Sequence, residues 1–377
     1  MKIAIISTTA FAVIRFRKDL ILSLISQGHE VYAFATDYNN ESKNQVSSFG
    51  AIPVIYAFSR FGLNPLRDIK DTVSLVNNIK TIKPDVVFSC FSKPVVFGTL
   101  AAIIAKVPRR IGMLEGLGFA FTDQPKRLNF KKKFIRSIQV LLYHLTFPFL
   151  EHIIFLNPDD PIDLIENYKI KVNKFSVING IGLNLDDYPY SIPKAHPVRF
   201  IFIGRLLAEK GINEYITAAK IVKKKYPKAE FIAVGDLDKE NPSSLTQKNL
   251  DLLAKQNIVC FTGYVSNVQK KIMDSSVFVL PSYREGLPRS TQEAMAIGRA
   301  IITTNVPGCR ETVIDGVNGF LIPPWSSETL SKKMIDFIKN TDLIYEMGRE
   351  SHLIAKENFD SHKTNRYLTS IILNTDD

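Results

Sequence analysis

The sequence predicts an α/β protein made of two domains, each with a parallel sheet covered by helices on both faces. Three observations carry this reading. Short apolar runs alternate with amphipathic helical stretches along the whole chain, the rhythm of strand–helix–strand units. The rhythm stops at a proline-punctuated stretch, Pro189, Pro193 and Pro197, and restarts at Val198. At 377 residues and 45% hydrophobic content the chain is globular and too long for one ordinary core.

In the first half, Lys2–Ser7 is an apolar run ending in a polar turn, and Arg15–Ser26 reads as an amphipathic helix closed by Gly28. Strand Glu30–Ala35, strand Ile52–Tyr56, helix Asn64–Ile82, strand Asp85–Ser89, helix Pro94–Ala105 and strand Arg109–Met113 follow. Strand Ile153–Leu156, a helix from Asp159 capped by Asn157, and strand Phe175–Ile178 close this half. Ligands of such sheets sit at the carboxyl ends of the strands. The polar residues there are therefore candidates: Ser7 to Arg17, Ser59 and Arg60, Ser92 and Lys93, and Glu115 to Gly118.

Charge is unevenly shared. Residues 1–180 hold 23 Lys+Arg against 14 Asp+Glu, a net +9 of the total +11. An anionic partner is implied on that half. No nucleic-acid-binding motif is present, so a phosphorylated molecule or an acidic membrane is favoured over nucleic acid. The stretch 126–150, KRLNFKKKFIRSIQVLLYHLTFPFL, concentrates the effect. Lys126, Arg127, Lys131, Lys132, Lys133 and Arg136 occur with no acid between Asp123 and Glu151, interleaved with apolar residues at mostly helical spacing. Such a helix lies in a headgroup layer, each basic group worth about 1 kcal/mol and six together roughly 6 kcal/mol at most. Its apolar part, broken by Pro148, is too short to span a bilayer. The three scattered cysteines, Cys90, Cys260 and Cys309, suit a reducing compartment. The N-terminus enters a strand directly, with neither signal-peptide nor transmembrane character.

In the second half, strand Val198–Ile203 runs into Gly204–Arg205–Leu206 and Glu209–Lys210–Gly211, then a helix through Lys225. Strand Glu230–Val234, helix Ser243–Lys255, strand Ile258–Phe261, the turn Gly263–Tyr264–Val265 and helix Val268–Met273 lead to the stretch that organises the rest. This is SVFVLPSYREGLPRSTQE, residues 276–293. Val277–Leu280 is a buried strand, Pro281 to Pro288 a turn, and Ser290–Ile297 a helix stopped by Gly298. A helix opening after Gly and Pro favours an anion, phosphate above all. A carboxylate beside phosphate makes sense when it faces hydroxyls, so Glu285 and Glu293 around a phosphate site describe a nucleotide-sugar. Strand Ala300–Thr303 follows, Glu311 starts another predicted helix, and the chain reads helical from Glu328.

Glu285–x7–Glu293, with Gly286, Leu287 and Pro288, resembles the donor motif of family 4 glycosyltransferases, retaining enzymes of the GT-B fold. The loops SRFGLNP (59–65), SKPVVFG (92–98) and EGLGFAFTDQ (115–124) resemble a subgroup that adds N-acetylgalactosamine, α-1,3-linked, to an undecaprenyl-diphosphate-linked amino sugar in O-antigen or N-glycan assembly. The resemblance covers nearly the whole chain. It implies a domain of residues 1–185, completed by a helix within 358–377, and a donor domain of residues 196–357, facing a cleft. It implies that Arg205 and Lys210 act with Glu285 in catalysis, without metal or other cofactor. It places donor contacts at Gly204, Arg205, Lys210, Tyr264, Val265, Glu285, Gly286, Leu287, Pro288 and Glu293, and acceptor contacts at Arg17, Arg60, Lys93, Glu115 and Gly116. Many relatives carry a Gly-Gly pair where this chain has Thr8–Thr9–Ala10, and a His where Glu115 stands. Asp236–Leu237–Asp238 spells the triplet with which transferases of another fold hold manganese, and is read here as a decoy.

UDP-N-acetylgalactosamine is the expected donor and an undecaprenyl-diphosphate-linked N-acetylhexosamine the expected acceptor. The expected location is cytoplasmic, on the inner face of the membrane, with no nucleic-acid partner. The alternatives are the same fold using UDP-N-acetylglucosamine, another UDP-hexose or a GDP-sugar, a nucleotide-sugar epimerase, and a non-catalytic basic lipid-binding protein.

Overall fold

The computed structural model describes residues 1–58, 65–125, 130–238, 241 and 243–375, with only the backbone of 65, 66 and 131. The chain divides into two compact units: Met1–Ala120, Asn129–Ile181 and Ser361–Asp377, and Phe121–Leu128 with Gly182–Asp360.

The first unit holds a seven-stranded sheet. Its strands are β1 (Lys2–Ile6), β2 (Glu30–Ala35), β3 (Ile52–Ile55), β4 (Val86–Cys90), β5 (Arg109–Leu114), β6 (His152–Phe155) and β7 (Phe175–Val177). They lie in the order β3-β2-β1-β4-β5-β6-β7, all parallel. The central strands are continuous apolar runs because helices cover both faces, whereas edge strands β3 and β7 are only partly buried. The second unit repeats the plan with β8 (Arg199–Ile203), β9 (Glu230–Val234), β10 (Cys260–Gly263), β11 (Val277–Leu280), β12 (Ala300–Thr304) and β13 (Gly319–Ile322), in the order β10-β9-β8-β11-β12-β13. Chain direction across each sheet reverses between its first and fourth strands, β1/β4 and β8/β11. Loops leaving those carboxyl ends diverge and leave a crevice.

Several elements differ from the sequence reading. The predicted helix Arg15–Ser26 is two helices, Ala10–Phe16 and Lys18–Ser26, broken at Arg17. Thr9 starts the first by accepting a hydrogen bond from the Ala12 amide at 3.1 Å. A polar helix, Asn40–Ser48, had no apolar stripe to announce it; the reciprocal Asn39/Ser42 capping box defines its start. The helix expected from Ser243 begins at Gln247, where the Thr246 side chain caps it. Glu311 lies in a single 3-10 turn, Arg310–Thr312, not a helix. Strand β13 went unread. The helical C-terminal stretch is three helices, Ser327–Lys339, Asp342–Asn358 and Ser361–Leu373. The last belongs to the first unit: Ser23 and Thr369 hydroxyls approach to 3.5 Å, and Arg109 donates to the Ile372 carbonyl at 2.7 Å.

Candidate active site

The sheet order of the second unit lines up five loops at the strands' carboxyl ends. Along that edge come Tyr264–Val265 after β10, Gly235–Asp238 after β9, Gly204–Lys210 after β8, Pro281–Pro288 after β11 and Asn305–Arg310 after β12. Every donor-side residue singled out in the sequence lies on these loops or in the helix that leaves one of them.

At the β8/β11 reversal, the Lys210 ammonium donates to both carboxylate oxygens of Glu285, at 2.6 and 2.7 Å. The Ser282 hydroxyl donates to Glu285 Oε1 at 2.7 Å. Two glycines let the loops close on each other. Gly211, at φ +77°, lies where a Cβ would meet the Pro281 carbonyl oxygen at 2.1 Å. Gly308, at φ +81°, lies where a Cβ would meet the Glu285 carbonyl oxygen at 2.3 Å. Only glycine satisfies both the backbone angle and the contact. The Glu285 amide donates to Pro307 O at 3.0 Å and the Tyr283 amide to Glu209 O at 2.9 Å, so the loop carrying Glu285 is tied to the loops on both sides of it. Beneath it, burial first and the Glu285 charge second push the Cys309 thiol up to about 12. Burial, with Glu214 second, raises the Tyr283 phenol well above its ordinary value.

The helix after this loop, Arg289–Ile297, starts at Pro288 with no side-chain cap and no acid in its first turn. Its positive end faces the loop, the arrangement that suits an anion. Leu287 is buried, and its carbonyl accepts from the Gln292 side chain at 3.4 Å. Glu293 Oε1 accepts from the Tyr188 hydroxyl at 2.8 Å and from Arg289 Nε at 3.2 Å, with 5% of the residue exposed. Arg205, 45% exposed at its side chain, donates to Asp238 Oδ2 at 2.7 Å. The Tyr264 amide donates to Asp236 Oδ1 at 2.9 Å, leaving its ring exposed.

The model for group 1 glycosyl transferases matches residues 191–352, and that for Glycosyltransferase Family 4 matches residues 15–183. The chain is a glycosyltransferase. A Campylobacter jejuni protein is 29% identical across 98% of this chain and 97% of its own length. It is named N,N'-diacetylbacillosaminyl-diphospho-undecaprenol alpha-1,3-N-acetylgalactosaminyltransferase. An Escherichia coli UDP-Gal:alpha-D-GlcNAc-diphosphoundecaprenol alpha-1,3-galactosyltransferase is 28% identical over 68% of this chain and 67% of its own. Among solved structures, Anabaena HepE in complex with UDP and glucose superposes with a TM-score of 0.78 at 18% identity, covering 100% of both chains. Its fold is that of this glycosyltransferase, GT-B.

In the first unit of the glycosyltransferase, Arg17 and Glu115 form an ion pair with side chains 1% and 8% exposed. Both are expected acceptor contacts, and the fold sets them against each other. Arg17 also sits 6.0 Å from the Phe91 ring centroid, tying the loop after β1 to the one after β4. Lys93 reaches Asp68 at 3.5 Å and lies 5.2 Å from the Phe58 ring; burial lowers its pKa, with Asp68 opposing. Gly116 turns the chain after β5 at φ +112°. Arg60 lies outside the described residues, as do Lys126, Arg127 and the Lys131 side chain.

The basic stretch forms the helix Phe130–Thr146. Lys132 corrects the sequence reading: it is 5% exposed, its ammonium 5.1 Å from the Phe119 ring centroid, so it faces inward. Arg136 is partly engaged inward too, donating from Nε to Ala120 O at 2.8 Å, and Lys133 is exposed. Beside exposed Lys133, Ser137 and His144, the outward face carries an apolar stripe. Phe130, Phe134, Leu141 and Leu145 are 88%, 66%, 57% and 55% exposed, and at 100° per residue they fall on one narrow stripe.

Sequence reasoning missed the partners more than the principals. Tyr188, which holds Glu293, lay in a stretch read as a linker. Ser282 was read only as a turn former, and Pro307–Gly308 had no announced tie to Glu285. Asp238 was set aside as a decoy, yet it holds Arg205. Ser282 lies only 3 residues from Glu285, but no local pattern announces the Asp238 and Tyr188 contacts, which join residues 33 and 105 positions apart.

Proposed function

We propose that the chain moves N-acetylgalactosamine from UDP-N-acetylgalactosamine to an undecaprenyl-diphosphate-linked N-acetylhexosamine, α-1,3-linked and with retention at the anomeric carbon. The observation that carries it is the Lys210–Glu285–Ser282 cluster at the strand-order reversal, next to an uncapped helix start. The C. jejuni relative, matched over nearly its whole length, supports the acceptor class. In this reading the donor diphosphate lies on the first amides of the helix Arg289–Ile297, with Arg205 and Lys210 alongside. Gly204, Gly286, Leu287 and Pro288 shape the loops around it, Glu293 takes the ribose hydroxyls, and Tyr264–Val265 flanks the base. Glu285 takes hydroxyls of the transferred sugar.

The acceptor oxygen bonds to the anomeric carbon on the face from which the phosphate oxygen leaves, and its proton passes to that departing oxygen. Charge grows on the leaving diphosphate in the transition state. Fixed cations there accelerate departure as well as bind, each contact worth around 4 kcal/mol before desolvation at about 4 Å. Arg205 and Lys210 thus take the part a divalent cation plays elsewhere, and the reaction runs without one. Acceptor binding falls to Lys93, Gly116 and Arg60, with the Arg17–Glu115 pair fixing the loops between them. The enzyme works on the inner membrane face, held by the apolar stripe of Phe130–Thr146 and the exposed Lys133.

The test is a panel of nucleotide-sugars incubated with undecaprenyl-diphosphate-linked N-acetylhexosamine, with and without EDTA, and read by mass. A product heavier by one N-acetylhexosamine, formed from UDP-N-acetylgalactosamine and unaffected by EDTA, is expected. Turnover of UDP-sugar without acceptor, or activity that returns only with manganese, would overturn the reading.

A further inference from the structure

We infer that Asp236 and Asp238 are positioning residues, which set where the donor's two ends are held. This rests on the donor site proposed above. The loop Gly235–Asp238 leaves β9, the strand that lies between β8 and β10. It therefore runs between the turn carrying Arg205 and the turn carrying Tyr264, and it is bonded to both. Asp238 Oδ2 accepts from Arg205 Nη1 at 2.7 Å, and the Asp238 carboxylate is 11% exposed. The Asp238 amide donates to the Ser244 hydroxyl at 3.0 Å, and the Leu206 amide donates to Asp236 O at 3.2 Å. On the other side, Asp236 Oδ1 accepts from the Tyr264 amide, and the Gly235 amide donates to Gly263 O at 3.0 Å. At Gly235, φ +142°, a Cβ would meet the Gly204 carbonyl oxygen at 2.0 Å, so the loop lies directly against the Arg205 turn.

The chemistry follows from the geometry. A guanidinium carries five N–H donors in a rigid fork. Fixing one edge on a mostly buried carboxylate orients the other edge and removes rotamer freedom before a phosphate arrives, so less is lost on binding. The Asp236 bond acts on a backbone amide and holds the Tyr264 turn at a set distance from Arg205. Two carboxylates spaced like a metal motif thus face opposite ways, each committed to a nitrogen donor.

The experiment is steady-state kinetics for donor with Asp238→Ala, Asp238→Asn, Asp236→Ala, Arg205→Ala and the Asp238→Ala/Arg205→Ala double variant. Asp238→Ala is expected to lower kcat/KM roughly tenfold, mainly through kcat, because Arg205 acts on developing charge. Asp238→Asn, which keeps an oxygen acceptor for Arg205, is expected to recover most of that loss. In the Arg205→Ala background, Asp238→Ala is expected to add less than about twofold, since its target is gone. Asp236→Ala is expected to raise the donor KM several-fold with kcat little changed. Full activity of Asp238→Ala, tighter UDP binding by it, or additivity with Arg205→Ala overturns the Asp238 assignment. An unchanged KM in Asp236→Ala overturns that of Asp236. Full activity of Arg205→Ala would instead sink the donor-site reading itself, which separates the two failures.

Discussion

Glu285→Gln separates the chemistry of transfer from the binding of nucleotide. In the wild-type protein the Lys210 ammonium sits 2.6 and 2.7 Å from the two Glu285 oxygens, with side chains 23% and 10% exposed. At 2.6 Å and an effective dielectric near 20, the attraction is roughly 6 kcal/mol before desolvation. Most of it is offset by the water both groups give up. The net loss on neutralising one partner is about 1–2 kcal/mol, reduced by the partial exposure of Lys210. For a unit of this size that lowers the melting temperature by roughly 2–8 °C. Glutamine keeps an oxygen for the Ser282 hydroxyl, so the loop persists. Lys210, released from a full negative charge, remains available to phosphate. UDP affinity, read by titration calorimetry, is therefore expected to hold or improve, while transfer, read by mass, falls about a hundredfold or more. If UDP binding disappears along with transfer in a protein that melts within this range, Glu285 does not act on the sugar.

Glu115→Ala strands the Arg17 charge in a site 1% exposed, so unfolding free energy by urea titration should fall by about 3–5 kcal/mol. Glu115→Gln, which keeps a hydrogen-bond acceptor, should recover part of it. Replacing Phe130, Phe134, Leu141 and Leu145 by Ser should abolish flotation with anionic liposomes, since each exposed side chain contributes about 1.5–3 kcal/mol on burial. Lys132→Gln should change flotation little, because its side chain faces inward; a large loss there would contradict the outward face assigned to this helix. Native alkylation followed by mass spectrometry should modify exposed Cys260 first and leave Cys309 untouched at pH 8. The folded Cys309 thiol, pushed up to about 12 from 9.0, stays protonated where the unfolded thiol ionises. Its contribution to stability is therefore constant below about pH 9 and is lost as pH rises from there toward about 12.

The sequence by itself determined the layered architecture. Apolar runs such as Val277–Leu280 can satisfy their backbone and bury both faces only inside a parallel sheet, and period and length declare that locally. It also determined the strand-to-helix loop of Glu285 and the position of Arg205 and Lys210 after β8, because turn residues and a helix start are local signals. Elements without such a signal went unread: the polar helix Asn40–Ser48 and the edge strand β13. What only tertiary structure decided is which charge meets which. Lys210 faces Glu285, Arg205 faces Asp238, Arg17 faces Glu115, and Lys132 turns away from the surface its neighbours suggest. The pairing of charges distant in sequence is set by strand order and loop closure, through glycines such as Gly211 and Gly308 that admit a contact no Cβ would allow. Composition records that the charges exist, and only the packed sheet brings their partners within hydrogen-bond reach.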